Sequence, residues 1–326
     1  MSKTNCIGTS AAIAALAMMC AAAPVQSQPY PSKPVRLIVP FPPGGGTDTM
    51  ARVLGPKLAE ALGQQVLIDN RGGAGATIGT ELAAKAPPDG YTLLLMTVTN
   101  AVGMSLYPNL KFDLVRDFAA VTRLATTPHV LVVHPSVPAK TVKELVALAK
   151  ARPGQLVYSS SGTGTVSHLA GEYFGFLTGT KMLHVPYKGG GPSVSALLGG
   201  EVSVGFATLP SVVSFIKSGK LRGIAMTTAQ RSPTLADLPT VGDAGIANYD
   251  VGSWYGLSAP TGTSKEAITR LHEATLKVLA IPDTRERLAA SGFDIIVSSP
   301  EQYGEFVRVE VERWAKVVKM SGAKAE

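Results

Sequence analysis

The chain has 326 residues, of which 45% are hydrophobic and 16% are charged, and its formal net charge is +7. A chain of this length can bury a sizeable core and typically forms two domains. Its basic residues are scattered along the sequence and do not form a face interleaved with aromatic residues, which argues against a nucleic-acid partner.

The first 27 residues have the composition of a secretory signal peptide. A lysine near the start precedes an apolar, alanine-rich stretch at 11–23, and small or polar residues follow it. This apolar run is shorter than the roughly 20 residues that span a bilayer. We therefore predict export to the periplasm with cleavage near Ser27 or a few residues earlier. Both cysteines, Cys6 and Cys20, fall within this segment, so the predicted mature chain has no thiol.

Short β-rich runs alternate with amphipathic helical stretches from residue 33 onward. Strands are predicted at 35–39, 66–68 and 92–96, and helices at 47–62 and 77–85. Such alternation is typical of a largely parallel sheet that is covered by helices on both faces.

A second block of the same kind follows. Its predicted strands lie at 130–133, 156–158, 182–185, 202–206 and 224–226, and its predicted helices at 141–151, 166–177 and 192–198. After a strand at 253–258, two longer helices are predicted to close the chain, with caps formed by Thr263 and Glu266 and by Ser299 and Gln302. We predict an α/β fold with a ligand cleft between two lobes. Lobe 1 comprises residues 28–127 and 253–326, and lobe 2 comprises residues 128–252.

Three glycine-rich segments each follow a predicted strand and precede a predicted helix. Glycine lets the backbone approach a ligand closely, and the free amides at a helix start favour an anionic group. We therefore predict that these segments bind a carboxylate, although each could also be only a tight turn. The candidate ligand residues in the first segment are Phe41, Pro43, Gly44, Gly45, Gly46, Thr47 and Asp48; those in the second are Ala76 and Thr77; those in the third are Ser159, Ser160, Ser161, Gly162, Thr163, Gly164 and Thr165, with His168 nearby.

Four further candidates lie near the ends of predicted strands: Thr97, Asn100, Tyr187 and Lys188. Lys188 could pair with a ligand carboxylate, although a lysine at the rim of a cleft is usually solvated. The segment that contains Ser253, Trp254 and Tyr255 is a further candidate for the cleft wall or for hinge packing.

Nucleotide-binding and catalytic motifs do not fit the sequence. The third glycine of a G-x-G-x-x-G motif is replaced by Ile78, and no Gly-Lys-Ser/Thr follows a glycine-rich loop. A G-x-S-x-G nucleophile motif is also missing from the predicted mature sequence. An exported hydrolase that uses Ser160 or Ser161 with His168 is retained as an alternative. The histidines show no metal-ligand spacing, so neither a metal nor another cofactor is predicted.

Eight separated motifs occur from residue 30 to the C-terminus in the order YPSKPVRLIVPFPPGGGTD, NRGGAGATIG, APPDGYTLL, SSSGTGTVSHLAGE, HVPYKGGGP, LLGGEV, LADLPTV and SWYGLSAP. With these motifs the chain resembles the solute-binding receptors of tripartite tricarboxylate transporters, often called Bug receptors. The resemblance implies a type II periplasmic binding protein fold, with two α/β domains joined by crossing strands, and a non-catalytic function. It also implies that segments 41–48 and 159–165 hold the ligand carboxylate through amides, hydroxyls and ordered water.

One departure from the family pattern bears on the ligand. Many members carry Asp and Asn before the Leu-Pro that follows a second-lobe strand, whereas this chain has Ala207 and Thr208, which complete the candidate set. Loss of the acidic residue disfavours an amino-acid ligand and favours a di- or tricarboxylate, a hydroxy acid or an aromatic acid. The implied partners are this small carboxylate and the permease subunits of a membrane transporter, with the receptor as a monomer. A soluble sensor that reports to a signalling partner is the remaining alternative.

Overall fold

The computed structural model describes residues 30–321, so the predicted signal peptide lies outside the described residues. The first part of the chain alternates strands and helices and ends in a long strand. These elements are β1 (Val35–Val39), α1 (Gly46–Leu62), β2 (Val66–Asn70), α2 (Thr77–Ala84), β3 (Thr92–Thr97), α3 (Val98–Leu106) and β4 (Phe118–Val133).

A second alternating block follows, and helices close the described chain. Its elements are α4 (Val142–Ala151), β5 (Val157–Ser160), α5 (Val166–Thr178), β6 (Leu183–Pro186), α6 (Gly190–Leu198), β7 (Val204–Thr208), α7 (Leu209–Lys217) and β8 (Arg222–Met226). Two short 3-10 helices, Pro233–Leu235 and Gly242–Ala244, lead to β9 (Gly252–Pro260). The last elements are α8 (Lys265–Ala280), α9 (Pro282–Ala290), β10 (Asp294–Ile295) and α10 (Pro300–Ser321).

Two sheets meet at the long strand β4. The continuous strand order is β2-β1-β3-β9-β4-β7-β5-β6, and β8 and β10 also pair with β4. The first part of β4 pairs antiparallel with β9, whereas residues 129–133 pair with β7 and residues 130–133 with β8. The chain therefore passes between two α/β lobes along β4 and β9, which confirms the predicted two-lobed α/β fold. The division at residues 127/128 and 252/253 stays a prediction.

The inner strands of the first sheet are apolar because helices cover both of their faces. All six residues of β3, with the sequence TLLLMT, are buried, as are four of the five residues of β1. Strands covered on both faces read as nearly continuous hydrophobic runs. Burial of these strands fixes the sheet edge at which the loop before α1 and the start of α3 lie.

The sequence predicted N-caps for the two long helices near the C-terminus, and the structure confirms only one of them. Ser299 and Gln302 form the predicted reciprocal pair, with Ser299 N donating to Gln302 Oε1 at 3.0 Å and Gln302 N donating to Ser299 Oγ at 3.2 Å. The cap predicted at Thr263 is wrong. Ser264 Oγ instead accepts from Ala267 N, because the Thr263 hydroxyl donates to the Pro260 carbonyl at 2.8 Å.

The sequence analysis did not predict three of the observed helices, α3, α7 and α9. Nearly all residues of α3 are buried, so its sequence has no polar face to produce a helical period. The short α7 directly follows β7, and its polar residues are few. The two longer closing helices are present as α8 and α10, but the prediction missed the shorter α9 between them, which begins at Pro282, where proline favours a new first turn.

We expect Gly256→Ala, on β9, to lower the free energy of unfolding by about 1–3 kcal/mol, the usual cost of overpacking a core. A Cβ at Gly256 would lie 2.2 Å from Cζ of the fully buried Tyr303 ring. Gly304→Ala, on the adjoining turn of α10, is the matched control, because its Cβ would lie 3.7 Å from Ala120 Cβ. Urea unfolding should show no loss for the control, and equal stability of both variants would contradict this account of the packing.

Candidate ligand-binding site

A small cavity of about 50 Å³ lies between the lobes beside the crossing strands. We call it the inner cavity. Residues from both sheets and both crossing strands form its wall: Phe41, Gly45, Gly46, Thr47, Thr97, Thr99, His129, Ser161, Val166, Ser167, Gly190, Ser193, Phe206, Ala207, Thr208, Ser211, Ser253 and Tyr255. Among the described residues, no Asp, Glu, Lys or Arg side chain belongs to this wall.

Five α-helices begin at the inner cavity. The N-cap or first residue of α1, α3, α5, α6 and α7 lines it, through Gly45, Thr97, Val166, Gly190 and Thr208. No side chain in the described part of the chain caps α1, α5, α6 or α7 by a hydrogen bond. Their first-turn amides are therefore available to a ligand, except at Pro192 in α6 and Pro210 in α7, which have no N–H. Because each helix start carries roughly half a positive charge, the cavity favours an anion.

The floor of the inner cavity is polar and uncharged. His129 Nε2 lies 2.8 Å from Ser253 Oγ, and its Nδ1 lies 3.3 Å from the Phe206 carbonyl oxygen. Burial lowers the pKa of His129 to about 4, although the hydrogen bond with Phe206 acts in the opposite direction. Burial also raises the pKa of Tyr255, so both rings are neutral near pH 7. Hydroxyl groups and a neutral imidazole therefore complete the site opposite the helix starts.

Asp48 holds the first glycine-rich loop from behind the cavity. Its Oδ2 accepts from Gly44 N at 3.1 Å and from Arg52 Nε at 2.8 Å, while its Oδ1 accepts from Asn70 Nδ2 at 3.1 Å. Asn70 Nδ2 also donates to the Phe41 carbonyl at 2.9 Å. The Asp48 carboxylate and the Asn70 side-chain amide thus fix the loop at Gly44 and at Phe41. The buried Asp48 carboxylate is directed to the loop backbone and not to the cavity.

The two lobes touch through glycines at the mouth of the inner cavity. A Cβ at Gly191 would lie 2.7 Å from the Pro43 carbonyl oxygen, and a Cβ at Gly44 would lie 3.3 Å from Gly191 Cα. Tyr107 Oη donates to the Thr163 carbonyl at 3.0 Å, which joins the lobes at a second place. Side chains at the glycine contact would hold the lobes apart. The structure is therefore a closed arrangement.

A larger cavity of about 670 Å³, the outer cavity, shares Phe41 and Ser161 with the inner one. The second glycine-rich segment lines the outer cavity and not the inner one. Its other lining residues are Pro42, Pro43, Asn70, Gly72, Gly73, Ala74, Gly75, Ala76, Tyr107, Gly162, Thr163, Pro186, Tyr187, Lys188 and Gly189. Lys188 is the cation of this wall among the described residues.

The structure separates the sequence-predicted site residues into three groups. Eight of them line the inner cavity: Phe41, Gly45, Gly46, Thr47, Thr97, Ser161, Ala207 and Thr208. Pro43, Ala76, Gly162, Thr163, Tyr187 and Lys188 line the outer cavity. The third group lies outside both walls: Gly44, Asp48, Thr77, Asn100, Ser159, Ser160, Gly164, Thr165 and His168.

Residues outside the cavity walls mainly shape the loops. Asn100 Oδ1 accepts from Thr97 N at 2.7 Å and so fixes the start of α3. Ser159 Oγ accepts from Ser193 Oγ at 2.9 Å, which links β5 to α6. The Thr165 hydroxyl donates to the Gly162 carbonyl at 2.7 Å. These contacts position the backbone that lines the cavities.

Sequence reasoning did not include several further residues of the inner wall among the ligand candidates. They are Thr99, His129, Ser167, Gly190, Ser193 and Ser211. Gly190 lies in a glycine run before a helix, which was a usable signal, whereas His129 lies within an apolar strand and gave none. Of the segment considered as cleft wall or hinge, Ser253 and Tyr255 line the inner cavity, while Trp254 Nε1 donates to Glu310 Oε2 on α10.

The geometry does not provide the serine–histidine pair considered from the sequence. Ser160 Oγ lies 2.7 Å from Nε2 of His184 and not beside His168, and Ser160 is completely buried. The Ser161 hydroxyl lies 2.8 Å from Ser167 Oγ. A nucleophile must reach its substrate, so a fully buried Ser160 does not serve as one in this arrangement.

Within residues 30–321, no group of three or more His, Cys, Asp or Glu residues is placed to hold a metal ion. No helix within the same residues combines the length and apolar character needed to cross a bilayer.

Comparison with known proteins identifies the family. The sequence profile described as "Tripartite tricarboxylate transporter family receptor" matches residues 50–323. BugT of Bordetella pertussis is 39% identical over 305 residues, which cover 93% of this chain and 94% of BugT. The structure described as periplasmic binding protein BugD has a TM-score of 0.88 and 34% identity, covering 91% of this chain and 100% of BugD.

A ligand-bound structure is also similar. MatC from Rhodopseudomonas palustris, solved with bound malate, has a TM-score of 0.85 and 31% identity, covering 89% of this chain and 100% of MatC. The agreement over nearly the whole described chain confirms both the periplasmic binding protein fold and the resemblance carried by the sequence motifs. The chain belongs to the tripartite tricarboxylate transporter receptor family.

Proposed function

We propose that this protein is a non-catalytic periplasmic receptor that captures a small carboxylate between its lobes and delivers it to the permease subunits of a tripartite transporter. The convergence of five helix starts on an uncharged cavity is the observation that carries the proposal. Such a wall offers many N–H and O–H donors to an anion. Residues 28–127 with 253–326 form one proposed lobe, and residues 128–252 form the other.

The carboxylate is held from both sides in this proposal. Gly45 and Gly46 present the start of α1, while Ser161 and Ser167 present the loop and start of α5. A ligand that contacts both lobes stabilises the closed arrangement relative to an open one. The glycine contacts between the lobes leave room for this closure and require no side chain to move aside.

The inner cavity favours a compact hydroxy acid. Its volume of about 50 Å³ would hold only a few water molecules, at about 10–15 Å³ each. Hydroxyls of Thr99, Ser211 and Ser253 line it and can bond to a ligand hydroxyl. No carboxylate of the described residues lines it to receive an amine, which disfavours an amino acid. A second ligand carboxylate would extend towards Lys188 in the outer cavity. The malate bound to MatC belongs to this chemical class.

A thermal-shift screen should identify the ligand class, because a ligand that binds only the native state raises its apparent stability with concentration. We expect malate and other compact hydroxy acids to raise Tm, larger tricarboxylates and aromatic acids to raise it less, and glutamate to leave it unchanged. Glutamate is the control, because it carries carboxylates like the other acids but adds an amine. A shift with glutamate would indicate that the protein binds anions in general. The absence of any shift with all of these acids would contradict the receptor function.

We expect Gly46→Ala to weaken binding of the best acid in that screen by at least about tenfold, or about 1.4 kcal/mol. A Cβ at Gly46 would lie 2.8 Å from Tyr255 Oη and 2.9 Å from Thr208 Oγ1, inside the inner cavity. Calorimetric titration measures the affinity, with Gly304→Ala on α10 as the control. Unchanged affinity of Gly46→Ala would show that the acid binds elsewhere.

Asp48→Asn should make the first loop less stable in a pH-dependent manner. Burial by itself raises the pKa of Asp48, but hydrogen bonds from Arg52, Gly44 and Asn70 outweigh this effect and lower it. A carboxyl group with a lowered folded-state pKa contributes stability above its unfolded pKa of about 3.9, and this contribution is lost as pH falls through the folded value.

We therefore expect Asp48→Asn to reduce the free energy of unfolding near neutral pH by about 1–3 kcal/mol, as for a charged hydrogen bond. The difference from the native chain should narrow below about pH 4. Urea unfolding over a pH series measures both effects. Asp283→Asn is the control, because its exposed pair with Arg287 should contribute less than about 1 kcal/mol. A difference that does not change with pH would refute the role of the Asp48 charge.

A further inference from the structure

Two histidines are stacked directly beneath the third glycine-rich loop. The His184 ring lies 4.2 Å from the His168 ring and 4.8 Å from the Tyr158 ring, measured between centroids, with interplanar angles of 21° and 27°. Tyr158 and His184 are partners in the parallel pairing of β5 with β6. His168 lies in the first turn of α5. The stack therefore connects two strands and the helix that surround the loop.

His184 bonds to the beginning of the loop through Ser160. Its Nε2 lies 2.7 Å from Ser160 Oγ, and Gly162 N donates to the same hydroxyl oxygen at 3.1 Å. The hydroxyl hydrogen of Ser160 is then available for donation to Nε2, provided that this nitrogen is unprotonated. Gly162 has φ of +130°, which favours glycine, so its amide direction depends on this local network.

His168 bonds to the end of the same loop. Its Nδ1 accepts from Gly164 N at 3.2 Å, and Gly164 has φ of +79°. A protonated Nδ1 is a donor and cannot accept this amide hydrogen. His184 thus acts on Gly162 through Ser160, and His168 bonds to Gly164 directly. These two glycines set the backbone direction of Ser161 and Thr163, both of which line cavities.

The surroundings of His184 favour an uncharged imidazole. Burial and the neighbouring His168 lower the pKa of His184 to about 4. Tyr158 Oη donates to Glu172 Oε1 at 2.5 Å, and burial is the main cause that raises its pKa. Glu172 Oε1 also lies 4.0 Å from His168 Nε2, and its carboxylate favours a charge on that ring. Two positive rings in contact would repel each other strongly at this depth.

We propose that His184 and His168 are positioning residues for ligand capture: His184, through Ser160, and the acceptor Nδ1 of His168 hold the two loop glycines in the carboxylate-binding conformation. Neither ring lines the inner cavity. Their effect on affinity passes through the loop backbone. This inference rests on the proposed receptor function, since it concerns the shape of the same site.

The two histidines use different ring nitrogens, so matched amide substitutions can test the positioning role. A Gln side-chain oxygen can occupy the place of an imidazole Nε2, and an Asn oxygen can occupy the place of Nδ1, because the two amides differ by one methylene group. His184→Gln and His168→Asn should therefore preserve affinity for malate, or for the acid with the largest thermal shift, within about threefold. His184→Asn and His168→Gln place the oxygen wrongly and should lose about tenfold or more.

Amide hydrogen exchange of Gly162 and Gly164, followed by NMR without any acid, gives a second readout. Both amides should be protected in the native chain and in the two preserving variants, and the matching amide should exchange faster in each mismatched variant. If all four variants bind equally and keep both amides protected, the histidines only fill space and the inference is overturned. If the native chain binds no acid but shows the exchange pattern, the receptor function fails while the positioning role stands.

Discussion

The convergence of helix N-termini on one uncharged cavity is the constraint on which the rest of the site depends. Helix starts that point at each other repel through their partial positive charges, and their first amides lack intrahelical acceptors. The buried strands β1 and β3 and the crossing strands β4 and β9 hold these helices in place regardless of this cost. An anion that enters the cavity relieves both the repulsion and the missing hydrogen bonds. In the proposed receptor, the backbone therefore supplies most of the recognition.

In the proposed site the ligand meets mainly backbone amides, so ligand specificity depends on the residues that shape the loops. Asp48 fixes the first loop through Gly44 and Asn70, and the stacked His168 and His184 contact the loop of the second sheet. Hydroxyls and the neutral His129 can then distinguish ligands that a cationic pocket would bind alike. Removal of one donor from such a buried network leaves its partner unsatisfied, which costs about 1–3 kcal/mol.

Several glycines serve lobe contact and loop shape together. Gly44 lies where a side chain at Gly191 would meet the Pro43 carbonyl, and it also adopts a φ of +91°. Gly164 has a φ of +79°, and a Cβ there would lie 2.4 Å from Leu106 Cδ2 on the other side of the cleft. Glycine at these positions therefore permits both the backbone conformation and the close approach, which composition alone does not reveal.

The sequence by itself determined the α/β alternation, the strand-to-helix glycine loops and, through its motifs, the family, because these depend on local periodicity and residue order. It did not show α3, whose residues are almost all buried, or His129, which lies in an apolar strand. Only the tertiary structure decided that Ser160 meets His184 and that the second glycine loop lines the outer cavity. Those contacts join segments that are distant along the chain or brought together by the pairing of parallel strands, so local sequence preferences do not encode them directly.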